Sequence, residues 1–395
     1  MRDRTSTLNI IIAGYIVGGP LGGLVWHHLQ YVLGLHKLGH NILFVEDSDD
    51  YPSCYNPETH ELSNDPGYGL TFIDKIFSQF GLQNYWAYYH MPSNYWYGAG
   101  EKKVQEFTRH ADVFLNLSGV NPLHERFLNI PVRAFIDTDP VFTQIRHLTE
   151  SSAMERARHH NRFFTFGENF GNADCSIPDD GFPWHPTRQP VFLSAWNYAP
   201  GNQKGNWTTV MQWDSYKTRN YEGKLFGMKS SSFDDYFSLP QSSKESFELA
   251  LGSATAPKEK LTGMGWQVSD PLVITRSASS YQNYIQQSKG EWSIAKHGYV
   301  ATHSGWFSER SAGYLASGRP VVVQDTGFTD FIPTGKGLFA FSNPEEVVSA
   351  MEEINTNYDA HCRWAREIAE EYFRFDKVLD SLLDNCQLHI ITNSK

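Results

Sequence analysis

Cysteine, surplus positive charge and metal-type histidine spacing are all scarce in this chain of 395 residues. The four cysteines, Cys54, Cys175, Cys362 and Cys386, are scattered and form no C-x-x-C pair. That excludes a disulfide scaffold or a zinc ribbon and implies a reduced, cytoplasmic protein. Lys and Arg number 33 against 44 Asp and Glu, for a net charge of −11. A chain so short of cations has little with which to displace phosphate counterions, so the expectation is no nucleic acid partner. The histidine pairs His27-His28 and His159-His160 have no i, i+4 partner and no nearby cysteine. No metal and no cofactor is expected on that basis.

Long apolar runs are also missing, with one apparent exception. Residues 8–29 carry no charge and follow Arg2 and Arg4, in the manner of a leader or a membrane span. Five glycines and Pro20 interrupt the run, and His27-His28 close it. A strand, a glycine loop and a helix explain the same letters, so no transmembrane segment is expected.

What remains is a globular composition, 40% hydrophobic, on a length that suits two domains. Residues 8–13 read as a buried parallel strand, 14–23 as a glycine loop, 24–38 as a helix and 41–46 as a second strand. This β-α-β unit implies a parallel sheet with a right-handed crossover. Further strands are predicted at 112–117, 132–136 and 163–166. Four prolines in 177–190 mark a linker. A second alternation follows, with strands at 191–194, 225–227, 293–295, 320–324 and 337–341. Helices are predicted at 243–251, 277–287, 308–317, 344–354, 359–373 and 377–385. The reading is α/β, with two doubly wound Rossmann-like domains facing a cleft.

The stretch 303–328, HSGWFSERSAGYLASGRPVVVQDTGF, is the densest in site-like features. Ser308 reads as an N-cap, so the amides of Glu309, Arg310 and Ser311 would form an anion-binding helix start. Gly305 permits close backbone approach, and Arg310 could add a bidentate phosphate contact. Asp325, Thr326 and Gly327 end the next strand, on the rim where open α/β sheets bind ligands. The plain alternative is ordinary α/β punctuation. In the first half, Gly18, Gly19, Gly22 and Gly23 could bring backbone against a phosphate, serve a dinucleotide with Glu46 or Asp47 on the ribose, or simply turn the chain. Asp137 and Asp139 follow the strand 132–136, and Asp139 could merely cap a helix.

His303-Ser304-Gly305-Trp306, the helix, Gly318-Arg319-Pro320-Val321-Val322 and Asp325-Thr326-Gly327 together resemble the donor half of GT-B glycosyltransferases. The likeness covers most of 190–385. It implies an N-terminal acceptor-side domain at 1–180, a C-terminal nucleotide-sugar domain at 190–370, and a segment at 371–395 packing back across the join. It implies a cytoplasmic hexosyltransferase that moves a sugar from a nucleotide diphosphate sugar to an acceptor hydroxyl. Carried onto this sequence, it puts His303, Ser304, Gly305, Trp306, Ser308 and Arg310 around the diphosphate. It adds Glu309 on the ribose, the loop with Gly18, Gly19 and Gly22 across the cleft, and Lys217 as a further cation. Lys296 shares the rim. Asp137 or Asp139 would be the acceptor-facing base, with His27 and His28 as rivals. A metal is not expected, although an Asp-x-Asp pair binds one in the GT-A class. The chain departs from the retaining pattern, with Gly305 and Gly313 where two glutamates are usual. A nucleotide-sugar epimerase, an inert binding protein on the same scaffold and an NAD oxidoreductase stay open as alternatives.

Overall fold

The computed structural model describes residues 7–50, 53–199 and 201–386; Arg2, Arg4 and the segment 387–395 lie outside it. Two parallel sheets organise the chain. The first has eight strands, in the order Trp184–Pro186, Arg162–Thr165, Val132–Asp137, Val113–Leu117, Asn9–Ala13, Asn41–Asp47, Trp86–His90, Tyr95–Gly98. Only the last pairing is antiparallel. The second has six parallel strands, in the order Gln267–Ser269, Phe247–Gly252, Trp207–Gln212, Gly290–Ser293, Val321–Gln324, Leu338–Phe341.

Strands such as Asn9–Ala13 are apolar without alternation because helices cover both faces of each sheet. The uncharged run that resembled a membrane span is this strand, a loop and the helix Gly22–Lys37. Among the described residues no helix is long and apolar enough to cross a membrane.

In the first sheet the chain order reverses beside Asn9–Ala13, and in the second beside Trp207–Gln212. At such a switch point the loops on either side leave in opposite directions and open a crevice at the carboxyl ends. The two crevices face each other. Apolar packing joins the lobes: Trp26 and Trp196 approach to 5.1 Å between ring centroids, and the Trp26 indole donates to Ala278 O at 3.0 Å. The helix Phe375–Asn385 lies against Gly22–Lys37, and a β-carbon at Gly34 would meet Leu379 Cδ1 at 2.6 Å.

Three sequence expectations are corrected. The predicted helix 243–251 is the strand Phe247–Gly252. Its Glu-Leu-Ala letters favour helix, but ladder bonds on both sides and burial of Phe247 against Trp266 and Trp292 prevail. The predicted strand 191–194 has one bridge, from Val191 to Arg374, and a 3-10 turn at Leu193–Ala195. The predicted strand 225–227 falls on Lys224–Phe226, which leaves the main sheet to form a hairpin with Arg219–Tyr221. The central strand Trp207–Gln212 escaped the reading because two threonines made it look polar. Thr208 is buried and bonds Ser288 Oγ and Tyr314 Oη, each at 2.6 Å.

Candidate active site

A cavity of about 490 Å³ fills the space between the two crevices. The first sheet's side supplies Tyr15, Leu21, Leu24, His27, Ser118, Thr138, Asp139 and Arg146. The second supplies Val210–Gln212 from the end of its central strand, Lys229, Lys296, Trp306, Ser308, Glu309 and Arg310.

Three basic side chains from the second lobe meet here, and their partners differ. Lys296 follows the strand Gly290–Ser293 and bonds Asp139 Oδ1 at 2.7 Å, with its ammonium 4.5 Å from the centroid of the Tyr216 ring. Arg310 gives Nε to Glu291 Oε1 at 2.6 Å, Nη1 to Val210 O at 2.9 Å and Nη2 to Ser293 Oγ at 2.6 Å. Among the described residues, Lys229 has neither an ion pair nor a hydrogen bond. Burial first, then the nearby charges of Arg310 and Lys296, push its amine well below the ordinary lysine value. An anion seated among the three would reverse that shift, because it offsets both burial and repulsion.

The helix Glu309–Ala316 starts at the cavity, and Ser308 caps it, its hydroxyl accepting from the Arg310 amide at 3.2 Å. The start of Gly22–Lys37 faces the cavity from the other side, through Leu21, Gly23 and Leu24.

Asp139 is the hub of the contacts across the cleft. Its Oδ1 takes Lys296 and the Tyr299 hydroxyl, and its Oδ2 takes the Tyr216 hydroxyl at 2.5 Å. Burial pushes its carboxyl up, but Lys296 and the three hydrogen bonds outweigh it and hold Asp139 below its usual value. Such a carboxylate is a weak base. It holds Lys296 and ties the lobes together. Asp137 has no exposure and lines no part of the cavity. It accepts from the Asp139 amide at 2.9 Å, Gln144 Nε2 at 3.0 Å and Thr165 Oγ1 at 2.8 Å. Gln144 in turn accepts from the Val141 amide at 2.7 Å, at the point where Val141 takes a positive φ of 74°. Asp137 therefore builds the loop that presents Asp139, which corrects its assignment as an acceptor-facing base.

Other assignments are corrected as well. Gly18 and Gly19 line no part of the cavity. The amides of Ile16, Val17 and Gly18 donate to the buried Glu46 carboxylate at 2.6, 2.7 and 2.7 Å. Burial raises Glu46 to about 7 even though these bonds oppose it. Gly22 serves contact between lobes, since a β-carbon there would sit 2.4 Å from Ser277 O. Gly305, with φ of 77°, admits the backbone of Asn169 and not a ligand. Ser304 is buried and its carbonyl accepts from the Asn169 amide at 3.1 Å. His303 points to Asp174 and Asp330, at 3.2 and 3.1 Å. Asp325, Thr326 and Gly327 stay off the cavity: Asp325 Oδ1 accepts from the Gly327 amide, and Thr326 Oγ1 bonds Trp306 O. Lys217 is exposed and lines no part of the cavity. Of the sequence candidates, Gly23, His27, Asp139, Lys296, Trp306, Ser308, Glu309 and Arg310 reach it. Lys229 was missed because nothing in its sequence neighbourhood marks it.

No family model and no curated protein sequence matches this chain. Solved structures do, and they establish the fold as GT-B, the two-sheet architecture of glycosyltransferases. The chain is similar to an α-glucosyltransferase in complex with UDP-glucose and DNA containing an abasic site (TM-score 0.58, 12% identity, 96% of this chain and 98% of that one). It is similar to AviGT4, a glycosyltransferase involved in avilamycin A biosynthesis (0.53, 10%, 98% of each). It also resembles Anabaena HepE in complex with UDP and glucose (0.53, 9%, 96% and 99%). The α-glucosyltransferase structures hold DNA, which corrects the exclusion of nucleic acid drawn from net charge. A total of −11 says nothing about the sign inside a cleft lined by Arg146, Lys229, Lys296 and Arg310.

Proposed function

We propose that this chain is a hexosyltransferase that moves a sugar from a nucleoside diphosphate sugar to an acceptor hydroxyl. The observation that carries the reading is the convergence of Lys229, Lys296 and Arg310 on one cavity at both switch points, with Lys229 lacking any anion. Residues 190–370 would hold the nucleotide, 1–180 the acceptor, and the described part of the C-terminal segment, 371–386, would brace the join. As the bond from the anomeric carbon to phosphate breaks, charge builds on the departing diphosphate. Cations fixed beforehand stabilise it without reorganising, which is the efficient form of electrostatic catalysis. Lys296, held by Asp139, and Arg310, held by Glu291, are fixed in this sense. Side chains rather than a metal ion meet the charge in this reading, so a chelator leaves turnover unchanged.

The test incubates the protein with UDP-, GDP- and dTDP-hexoses and a panel of acceptors. Because two of the similar α-glucosyltransferase structures hold a 13-mer DNA containing a HMU base, such DNA belongs in the panel. Release of nucleoside diphosphate with a glycosylated product supports the proposal. A changed sugar with no release supports an epimerase, and binding without turnover refutes catalysis.

A further inference from the structure

His27 and His28 are adjacent on one helix, and their surroundings differ sharply. His28 is fully engaged: Nδ1 lies 2.7 Å from Leu24 O, and Nε2 accepts from the Tyr15 amide at 3.1 Å. His27 is 6% exposed, and neither ring nitrogen has a partner. A buried polar group without a hydrogen bond is costly and uncommon, and this one is not alone.

Behind the main cavity runs a recess lined by His27, Gln189, Trp196 and Glu309, with about 10 Å³ of free space. Gln189 Oε1 and Trp196 Nε1 are also buried without partners. The recess thus gathers unpartnered atoms of complementary kinds. The indole can only donate, the amide oxygen can only accept, and a neutral imidazole does one of each. His27 and Glu309 line both spaces, so the recess abuts the cavity.

A hydroxyl group suits this set because it donates and accepts at once, and the free space matches a group about the size of one water. A carboxylate does not suit it, because it only accepts and would face Glu309. Burial holds His27 below its ordinary value, with Glu309 opposing. The other polar rings near it are His28 and Tyr31 on its own helix and Tyr281 across the recess.

We infer that this recess is the subsite for a hydroxyl of the transferred sugar, and that it selects an uncharged hexose over a uronic acid. The inference rests on the reading of the main cavity as a nucleoside diphosphate sugar site. His27 and Glu309 flank the recess from opposite lobes, and Glu309 opens the helix whose start stands beside the cavity's cations.

Calorimetric titration with UDP, UDP-glucose and UDP-glucuronate tests it. The wild-type protein binds UDP-glucuronate at least about thirtyfold more weakly than UDP-glucose, and Glu309→Gln narrows that gap. A site built to hydrogen-bond a hydroxyl loses most when its own groups are left unpaired. His27→Leu therefore weakens UDP-glucose about tenfold and leaves UDP within twofold. Gln189→Met, a second variant checked for an unchanged melting temperature, acts in the same direction. Equal affinity for the two sugars, or unchanged UDP-glucose binding in both variants, overturns the inference and leaves the recess to water. Failure of the wild type to bind UDP at all would overturn the underlying functional reading as well.

Discussion

The loop 14–21 leads into the helix Gly22–Lys37, and the loop 302–308 leads into Glu309–Ala316. Both are glycine-marked and both precede a helix that borders the cavity. In the first, three consecutive amides already hold an anion, the carboxylate of Glu46. In the second, the glycine packs on Asn169 while the helix start stands beside Lys229, Lys296 and Arg310. A glycine loop advertises a backbone able to cradle negative charge, but not whose charge it is. The anion can come from the protein itself, and then the loop is a fixture that shapes the cavity wall.

The largest expected effect breaks the second unit. Arg310→Ala strands Glu291, which has no exposure, and removing one partner of a buried pair costs about 3–5 kcal/mol. Chemical denaturation should show that loss together with weakened nucleotide binding. The residue braces the sheet as well as lining the cavity.

Next comes the first unit. Glu46 sits near 7 in the folded chain against an ordinary 4.5, so the folded state binds its proton more tightly. Its contribution to stability is complete below the ordinary value and is lost as pH rises through about 7. The size is on the order of 3 kcal/mol. Thermal melts from pH 5 to pH 8 should fall more steeply for the wild type than for Glu46→Gln, and parallel curves would contradict this account of the loop.

Smaller still is Asp139→Asn, which should cost about 1–3 kcal/mol as Lys296 loses its half-buried charged partner. The readout is a lower melting temperature and more than tenfold slower turnover, with UDP affinity reduced less. The smallest effect is Lys217→Ala, which should leave UDP affinity within twofold because the side chain is exposed away from the cavity.

Much of the scaffold was legible. The apolar runs at 8–13, 132–136 and 320–324 became buried parallel strands, and Ser308 caps the helix that its spacing indicated. Trp207–Gln212 and Phe247–Gly252 were not legible, because burial in the middle of a sheet overrode polar or helical letters. The site was harder for a different reason. Lys229 lies in a 3-10 turn between Met228 and three serines, and only the folded chain brings it to Arg310 and Lys296. Asp137 and Asp139 are two residues apart, yet one turns into its own loop and the other crosses the cleft. Which of them faces the cavity is decided by the turn at Val141 and by its Gln144 contact.

Titrating UDP into the wild type and into Lys229→Met, in buffers of different ionisation enthalpy near pH 8, tests the central claim most directly. The unpartnered amine should take up a proton as diphosphate arrives, because its folded value is depressed and an anion restores it. The account predicts net proton uptake in the wild type, its disappearance in Lys229→Met, and at least a thirtyfold loss of affinity with the fold intact. Equal affinity and equal proton uptake in the two proteins would place the diphosphate elsewhere and contradict the account.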